Sequence, residues 1–187
     1  METFTPPRPF VPHVGYQQDR DRSLRGLEQE IRNGTIDPPI LPLVKECIPI
    51  THCFTVQCCY GHFVHQLEPD PENLIPVTHY RDRKEEIEPI RYRIAYLALC
   101  IEDIPAGHTM YADLQEMADR NPVFIQFGSA DWFSERMPNT YCIQLEPERM
   151  KTEDSGLVTW EEASRIEELK MPFFTNVTEI LLRHRVL

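Results

Sequence analysis

The sequence lacks a long apolar run and lacks an excess of positive charge. No apolar stretch approaches the roughly 18 residues that a membrane-spanning helix needs, and the first residues lack the apolar segment of a signal peptide. The 19 Lys and Arg residues against 30 Asp and Glu residues leave a net charge of −11. We therefore expect a cytoplasmic protein that binds neither a membrane nor nucleic acid through charge alone.

The motifs of several large enzyme classes are also missing. The sequence contains no P-loop, no Gly-x-Gly-x-x-Gly fingerprint and no Gly-x-Ser-x-Gly nucleophile motif. ATPases, Rossmann-type dehydrogenases and ordinary α/β-hydrolases use those glycines to bind phosphate or to form a tight nucleophile turn. The sequence therefore gives no support for these three classes.

Glycine is scarce and proline is abundant, with 7 and 17 residues respectively. Four of the prolines lie close to the N-terminus, at Pro6, Pro7, Pro9 and Pro12. They disfavour helix and favour extended chain, so we predict that residues 1–15 form an arm, either disordered or lying over the body of the protein. A length of 187 residues suits one domain, which is predicted to comprise residues 16–187.

The rest of the sequence alternates between helical and strand patterns. Apolar residues three and four apart predict helices at Asp19–Asn33, near Ile40–Cys47, at Thr109–Arg120, from Thr159 to a stop or kink near Pro172, and after Asn176. Runs rich in β-branched and aromatic residues predict strands at Cys53–Cys59, His62–Leu67, Leu74–Tyr80, Arg91–Ile101, Pro122–Phe127 and Thr140–Leu145. This order predicts an α+β (mixed α/β) single domain, with a mixed sheet and flanking helices. Residues 91–127 are expected to form a βαβ-like unit.

The cysteines and histidines are concentrated in one stretch. Residues 47–65 contain four of the six cysteines and three of the seven histidines. If Tyr60-Gly61 is the two-residue turn of a hairpin, Cys59 and His62 flank that turn and their side chains share a face. Cys53 lies on the same face, because side chains alternate along a strand.

Three interpretations of this stretch remain open. In the first, Cys59 and His62 bind Zn²⁺ together with Cys53 or another residue, because thiolate and imidazole are common zinc ligands. In the second, His62 activates Cys59 as a nucleophilic or redox-active thiolate. In the third, the cysteines are small buried apolar residues and the histidines are ordinary polar ones. The third interpretation is the commoner for any single residue, whereas the density of the group favours a functional site.

Two segments around this stretch carry a resemblance to a known family. Residues 33–40 and 54–63 resemble the N-terminal half of the wybutosine-synthesising methyltransferases, which use S-adenosylmethionine to methylate a tricyclic guanine derivative in phenylalanine tRNA. Gly34 and Asp37 match the family's Lys-Gly-x-x-Asp motif, and Cys59 and Gly61 match its Ser-Ser-Cys-Ser-Gly-Arg motif. The segment Val77–Tyr80 is similar to a later strand of the family that carries a His, here His79.

The resemblance implies the family's fold and a methyl transfer from S-adenosylmethionine to a small molecule or nucleotide. It implies a pocket centred on Cys59, Gly61 and His62, with Asp37 and His79 nearby. Cys59, Asp37 and His62, as general base, are then the candidate catalytic residues. Gly61 and His79 are the candidates for binding the cofactor, because glycine lets the backbone approach a ligand.

The sequence also departs from the family's motifs. The family's Lys is replaced by Asn33 and its Arg by His62, and its three serines are replaced by Gln57, Cys58 and Tyr60. Lys, Arg and Ser are the residues that would hold a phosphate backbone. Together with the net charge of −11, these changes predict that tRNA is not the partner. The alternatives are a zinc-binding protein, catalytic or structural, and a non-enzymatic interaction module with the N-terminal arm as its docking or swapping segment.

Overall fold

A computed structural model describes residues 4–151 and 155–185 of the chain and shows an α+β fold. The predicted fold class is therefore confirmed. In chain order the strands are β1 (Phe4–Thr5), β2 (Cys53–Cys59), β3 (His62–Val64), β4 (Ile90–Arg93), β5 (Ala95–Ile101), β6 (Ile125–Ala130), β7 (Thr140–Leu145) and β8 (Ser155–Val158). The helices are α1 (Tyr16–Asn33), α2 (Leu41–Cys47), α3 (Lys84–Ile87), α4 (Pro105–Asp119), α5 (Asp131–Ser134) and α6 (Trp160–Arg183), with 3₁₀ turns at Val77–Arg83 and Glu148–Met150.

The strands form two antiparallel sheets rather than the mixed sheet that was expected. The first sheet has the order β1-β6-β7-β5-β2 and the second the order β3-β4-β8. Both β5 and β6 pair antiparallel with β7, so β5 and β6 run parallel to each other on either side of it. The segment β5-α4-β6 is thus a βαβ-like unit into which β7 has been inserted. The main core lies between the first sheet and helices α2, α4 and α6.

Two stretches of chain cross from one sheet to the other. The predicted hairpin at residues 53–67 is wrong, because β2 pairs with β5 in the first sheet whereas β3 pairs with β4 in the second. The single strand predicted at Arg91–Ile101 is likewise divided at Ile94 into β4 and β5. Tyr60-Gly61 is therefore a crossing between sheets and not a hairpin turn.

The two crossings touch at Gly61, which has a positive φ of 85°. A Cβ atom on Gly61 would lie 2.7 Å from the Cβ atom of Ala95 and 3.0 Å from its amide nitrogen. A side chain at this position would thus collide with the neighbouring crossing, and a residue other than glycine would also be strained at this φ. We call residues 59–62 the crossing segment.

An irregularity in β2 decides which way its cysteines face. Cys53 pairs with Ile101 and Thr55 with Leu99, but the register shifts at Val56, after which Cys59 pairs with Tyr96. Because paired residues of antiparallel strands share a face, Cys53 faces the main core with Ile101, and Cys59 faces the opposite side with Tyr96. The expectation that Cys53 and Cys59 share a face is therefore wrong, since the bulge inverts the alternation.

Helix boundaries agree with the sequence where local signals set them. Helix α1 ends at Gly34 in the left-handed conformation, and Thr159 and Glu162 form the capping box that starts α6. Helix α4 begins earlier than predicted, at Pro105, because proline suits the first turn of a helix. Helix α6 does not stop near Pro172 but continues through it. The strand predicted at Leu74–Tyr80 is wrong, and a 3₁₀ turn starts within it at Val77.

The described part of the N-terminal arm lies on the body of the protein. Strand β1 pairs with β6 and forms the edge of the first sheet, and the Phe10 ring packs against Tyr111 and Tyr141. The Asn139 side chain accepts a hydrogen bond from the Val11 amide and donates one to the Val11 carbonyl. Residues 1–3 of the predicted arm lie outside the described residues. No helix in residues 4–151 and 155–185 has the length and apolar character to span a membrane.

The close approach at Gly61 predicts that alanine substitutions at two glycines change the free energy of unfolding by very different amounts. We expect Gly61→Ala to lower the free energy of unfolding by roughly 2–4 kcal/mol, through strain and overpacking. The matched control is Gly26→Ala, in the interior of α1, where an added Cβ meets nothing within 4 Å, and we expect it to be neutral or to stabilise by up to about 1 kcal/mol. Urea denaturation of both variants measures the difference, and equal stabilities would contradict the close approach.

Candidate functional site

Three of the residues predicted to be functional converge at the junction of the two sheets. They are Asp37, in the loop between α1 and α2, Cys59, the last residue of β2, and His62, the first residue of β3. One carboxylate oxygen, the Cys59 sulfur and one imidazole nitrogen lie within 4.8 Å of one another. The crossing segment brings Cys59 and His62 together, and the Tyr60 amide in the same segment donates a 2.9 Å hydrogen bond to Asp37 Oδ2.

The imidazole of His62 is held in one orientation. Its Nδ1 lies 2.9 Å from the Asn73 carbonyl oxygen, which can only accept, so Nδ1 carries a proton and donates it. This leaves Nε2 to face Asp37, whose Oδ2 lies 3.3 Å away. Nε2 is buried, and the approach of Asp37 is not aligned as a regular hydrogen bond. The ring nitrogen without a regular hydrogen bond is therefore the one beside the Asp37 carboxylate.

These contacts alter the ionisation of the histidine and the carboxylate. Burial by itself would lower the pKa of His62, but Asp37, Cys59 and the Asn73 carbonyl outweigh it and raise the pKa to about 10. Burial would raise the pKa of Asp37, yet its interactions with His62 and the Tyr60 amide lower it overall. At neutral pH and without a metal, the site therefore holds an imidazolium beside a carboxylate.

The site opens into a large cleft. The cleft has a volume of about 1260 Å³ and is lined by the three site residues, by α1 and β2, and by Tyr96, Trp132 and Gln144, among others. Glu72 and Arg93 also line it, and Arg93 forms an ion pair with Glu72. Glu72 Oε2 lies 3.9 Å from His62 Nε2, so a second carboxylate stands at the open side of the site.

The structure separates the other predicted site residues from this group. Cys53 is fully buried in the main core, where desolvation holds the pKa of its thiol well above the usual range. His79 is exposed on the 3₁₀ turn, against the ring of Tyr80. Gly61 lies between Cys59 and His62 and donates its amide to the Cys59 sulfur at 3.4 Å. A cofactor-binding role for Gly61 and His79 stays a prediction.

Sequence reasoning missed Glu72, Asn73 and Arg93. The first two belong to the polar loop after β3, where the Asn73 side chain donates to the carbonyl groups of Phe63 and Asp70. Arg93 comes to the site because β4 pairs with β3, which places it opposite His62. No local motif marks these residues, although a polar loop directly after a Cys/His-rich segment is a place to look for further ligands.

The geometry does not fit a nucleophile–base–acid relay. In such a relay the thiol and the carboxylate take opposite nitrogens of the imidazole, so that a proton passes along the line. Here Asp37 lies on the Nε2 side and the backbone of Asn73 takes Nδ1, so neither the carboxylate nor the thiol has Nδ1 as its partner. Three potential ligand atoms within 4.8 Å of one another, with Nδ1 of the histidine anchored, are instead compatible with binding of a metal ion.

Comparisons with known proteins do not supply an activity. No protein-family model matches the chain. No curated protein matches it either. Among solved structures, the chain is similar to that of the PH1069 protein from Pyrococcus horikoshii, at 15% identity over 91% of this chain and 92% of that chain, with a TM-score of 0.49. It is also similar to a second structure of that protein, from Pyrococcus horikoshii OT3, at 14% identity over 91% of both chains, with a TM-score of 0.48. Similarity at this level does not carry a function from one protein to another, so S-adenosylmethionine and methyl transfer stay predictions.

The site predicts an unusual titration of His62. In chelator-treated protein we expect its imidazole signals to titrate near pH 10, whereas burial lowers the pKa of His52 and His65. Because the folded-state pKa is raised above the ordinary value of 6.5, the interaction adds stability that is complete below that pH and is lost as pH rises through about 10. NMR titration of the wild type and of Asp37→Asn checks this, and a wild-type His62 that titrates at or below its ordinary value would contradict it.

Proposed function

We propose that the protein binds one divalent transition-metal ion, Zn²⁺ in preference to others, and that the ion performs catalysis on a small molecule in the cleft. The ligands are Asp37 Oδ2, Cys59 Sγ and His62 Nε2. The observation that carries the proposal is the convergence of these atoms within 4.8 Å of one another. The 1260 Å³ cleft beside them supports a catalytic rather than a purely structural ion.

The types of ligand favour a borderline-soft metal. Thiolate and imidazole suit Zn²⁺ and its neighbours, whereas Mg²⁺ and Ca²⁺ prefer sites made of oxygen atoms. Zinc–ligand distances of about 2.0–2.3 Å in a tetrahedron place the ligand atoms roughly 3.3–3.8 Å apart. Asp37 Oδ2 and His62 Nε2 already lie 3.3 Å apart, so a small movement of the three side chains suffices.

The surroundings of the ligands also suit a metal. Metal-binding histidines generally donate their other ring N–H to a carbonyl or carboxylate, and the Asn73 carbonyl takes that place for His62. The Tyr60 amide orients Asp37 in the same way. Three protein ligands leave one position open, as is usual in catalytic zinc sites. A metal held by these three ligands would supply a Lewis acid or lower the pKa of a water bound at the open position.

Metal and proton compete for the same nitrogen. In the metal-free protein Nε2 of His62 is protonated at neutral pH, because its pKa is raised to about 10. Binding at Nε2 therefore releases that proton, and the apparent metal affinity rises with pH.

Metal titrations test the proposal. We expect the chelator-treated wild type to bind one equivalent of Zn²⁺ or Co²⁺, and Asp37→Ala, Cys59→Ser and His62→Gln to lower the affinity by at least about tenfold each. The matched control is Cys58→Ala, because Cys58 pairs with Leu97 and faces the opposite side of β2 from Cys59, which pairs with Tyr96, and Cys58 does not belong to the ligand group. Co²⁺ absorption and elemental analysis measure binding and stoichiometry. Substoichiometric binding by the wild type, or an affinity unaffected by Cys59→Ser, would refute the proposal.

Methyl transfer, which the resemblance implies, is tested in the same preparations. It requires that S-adenosylmethionine binds, and calorimetry with the metal-free and the metal-loaded protein detects such binding at millimolar concentrations. The absence of heat in both preparations would remove S-adenosylmethionine as the cofactor, without affecting the metal proposal.

A further inference from the structure

A buried lysine, Lys170, contacts the crossing segment from helix α6. Lys170, in the middle of α6, is 4% exposed, and removing an ammonium group from water costs several kcal/mol unless partners compensate. Its Nζ lies 3.1 Å from the carboxylate of Glu167, one turn earlier on the same helix. Because this neighbour balances its charge, the pair brings no net positive charge that would repel a metal cation.

The other partners of Lys170 all belong to the crossing segment or follow it. Nζ donates a hydrogen bond to the Gly61 carbonyl at 3.1 Å. It also lies 4.8 Å from the ring centroids of both Tyr60 and Phe63, within the range of cation–π attraction. The ammonium group therefore contacts residues on both sides of His62.

Gly61 is fixed at both of its peptide groups. Its amide faces the Cys59 sulfur at 3.4 Å, and its carbonyl accepts from Lys170. Glycine has no side chain of its own to resist rotation, so these two contacts and the close approach to Ala95 define its conformation. The directions of the Cys59 and His62 side chains depend on that conformation, because Gly61 and Tyr60 are the only residues between them.

The pKa of Lys170 reflects its closeness to the candidate ligand residues. Burial lowers the pKa of Lys170, and the side chains of Glu167, Cys59 and Asp37 oppose that effect. The ammonium group thus lies within electrostatic range of two of the ligand residues, in addition to its direct contact with the Gly61 carbonyl.

We propose that Lys170 is a positioning residue of the metal site, which holds the Gly61 carbonyl so that Cys59 and His62 face Asp37. This proposal rests on the proposed function, since it assigns to Lys170 the support of the same three ligands. Lys170 does not touch the metal and acts only through the crossing segment.

The test compares Co²⁺ binding by Lys170→Met with binding by Val177→Ala. Val177 is buried on the same helix in the main core, about two turns from Lys170, so its truncation destabilises α6 but leaves Lys170 and every residue of the crossing segment in the chain. We expect Lys170→Met to weaken Co²⁺ affinity at least about tenfold and to reduce the thiolate-to-cobalt charge-transfer absorption. Val177→Ala, measured well below its unfolding temperature, should leave both unchanged.

A double variant guards against a failure to fold. Lys170→Met alone leaves Glu167 as a buried carboxylate without its partner, which is costly, whereas Glu167→Gln with Lys170→Met leaves no such charge. We expect the double variant to fold and to show the same loss of affinity and absorption. Wild-type affinity and spectrum in the double variant would overturn the role of Lys170 and leave the metal site standing. Absence of Co²⁺ binding by the wild type would instead refute the metal site itself.

Discussion

The architecture depends on one close backbone contact, where the chain passes between its two sheets at Gly61 and Ala95. A Cβ atom on Gly61 would lie 2.7 Å from that of Ala95, so the two crossings can pass each other only because one of them has no side chain. The contact joins the end of β2 to the start of β3 beside the junction of β4 and β5. It therefore sets both the relation of the two sheets and the positions of the residues on either side of it, Cys59 and His62.

The sequence predicted those elements whose signals are local. The glycine that ends α1, the capping box of α6 and the bounds of β7 follow from residues that touch their own neighbours in the chain. The assignment of strands to sheets does not, because β2 finds its partner in β5, about forty residues later. A glycine with positive φ suits a hairpin turn as well as a crossing between sheets. The dipeptide Tyr60-Gly61 therefore does not distinguish a hairpin from a crossing.

The sequence correctly brought together part of the candidate site, but the hairpin from which Cys59 and His62 were expected to be neighbours does not exist. Cys59 and His62 were expected to meet across a hairpin, and they meet instead at the junction of two sheets. Cys53 is excluded by the bulge at Val56, which a pattern of alternating residues cannot reveal. His79, which was expected near Cys59 and His62, lies on a 3₁₀ turn where a strand was expected and does not belong to the group. Asp37, which comes from the motif resemblance, completes the group, and its carboxylate accepts a hydrogen bond from the Tyr60 amide.

The buried charged side chains around Cys59 and His62 are concentrated at the same junction between the two sheets. Two buried cationic side chains lie at the crossing segment, each beside a carboxylate: His62, which belongs to the segment, and Lys170, which contacts it. Buried ion pairs are weak contributors to stability, since desolvation offsets much of their attraction and apolar residues of similar volume often serve as well. Stability therefore does not explain why two such pairs are gathered at one junction, which also carries the thiol and opens to the cleft. We expect such a concentration where a thiol, a histidine and a carboxylate must be held at fixed distances, because polar contacts fix orientation whereas apolar packing fixes only volume.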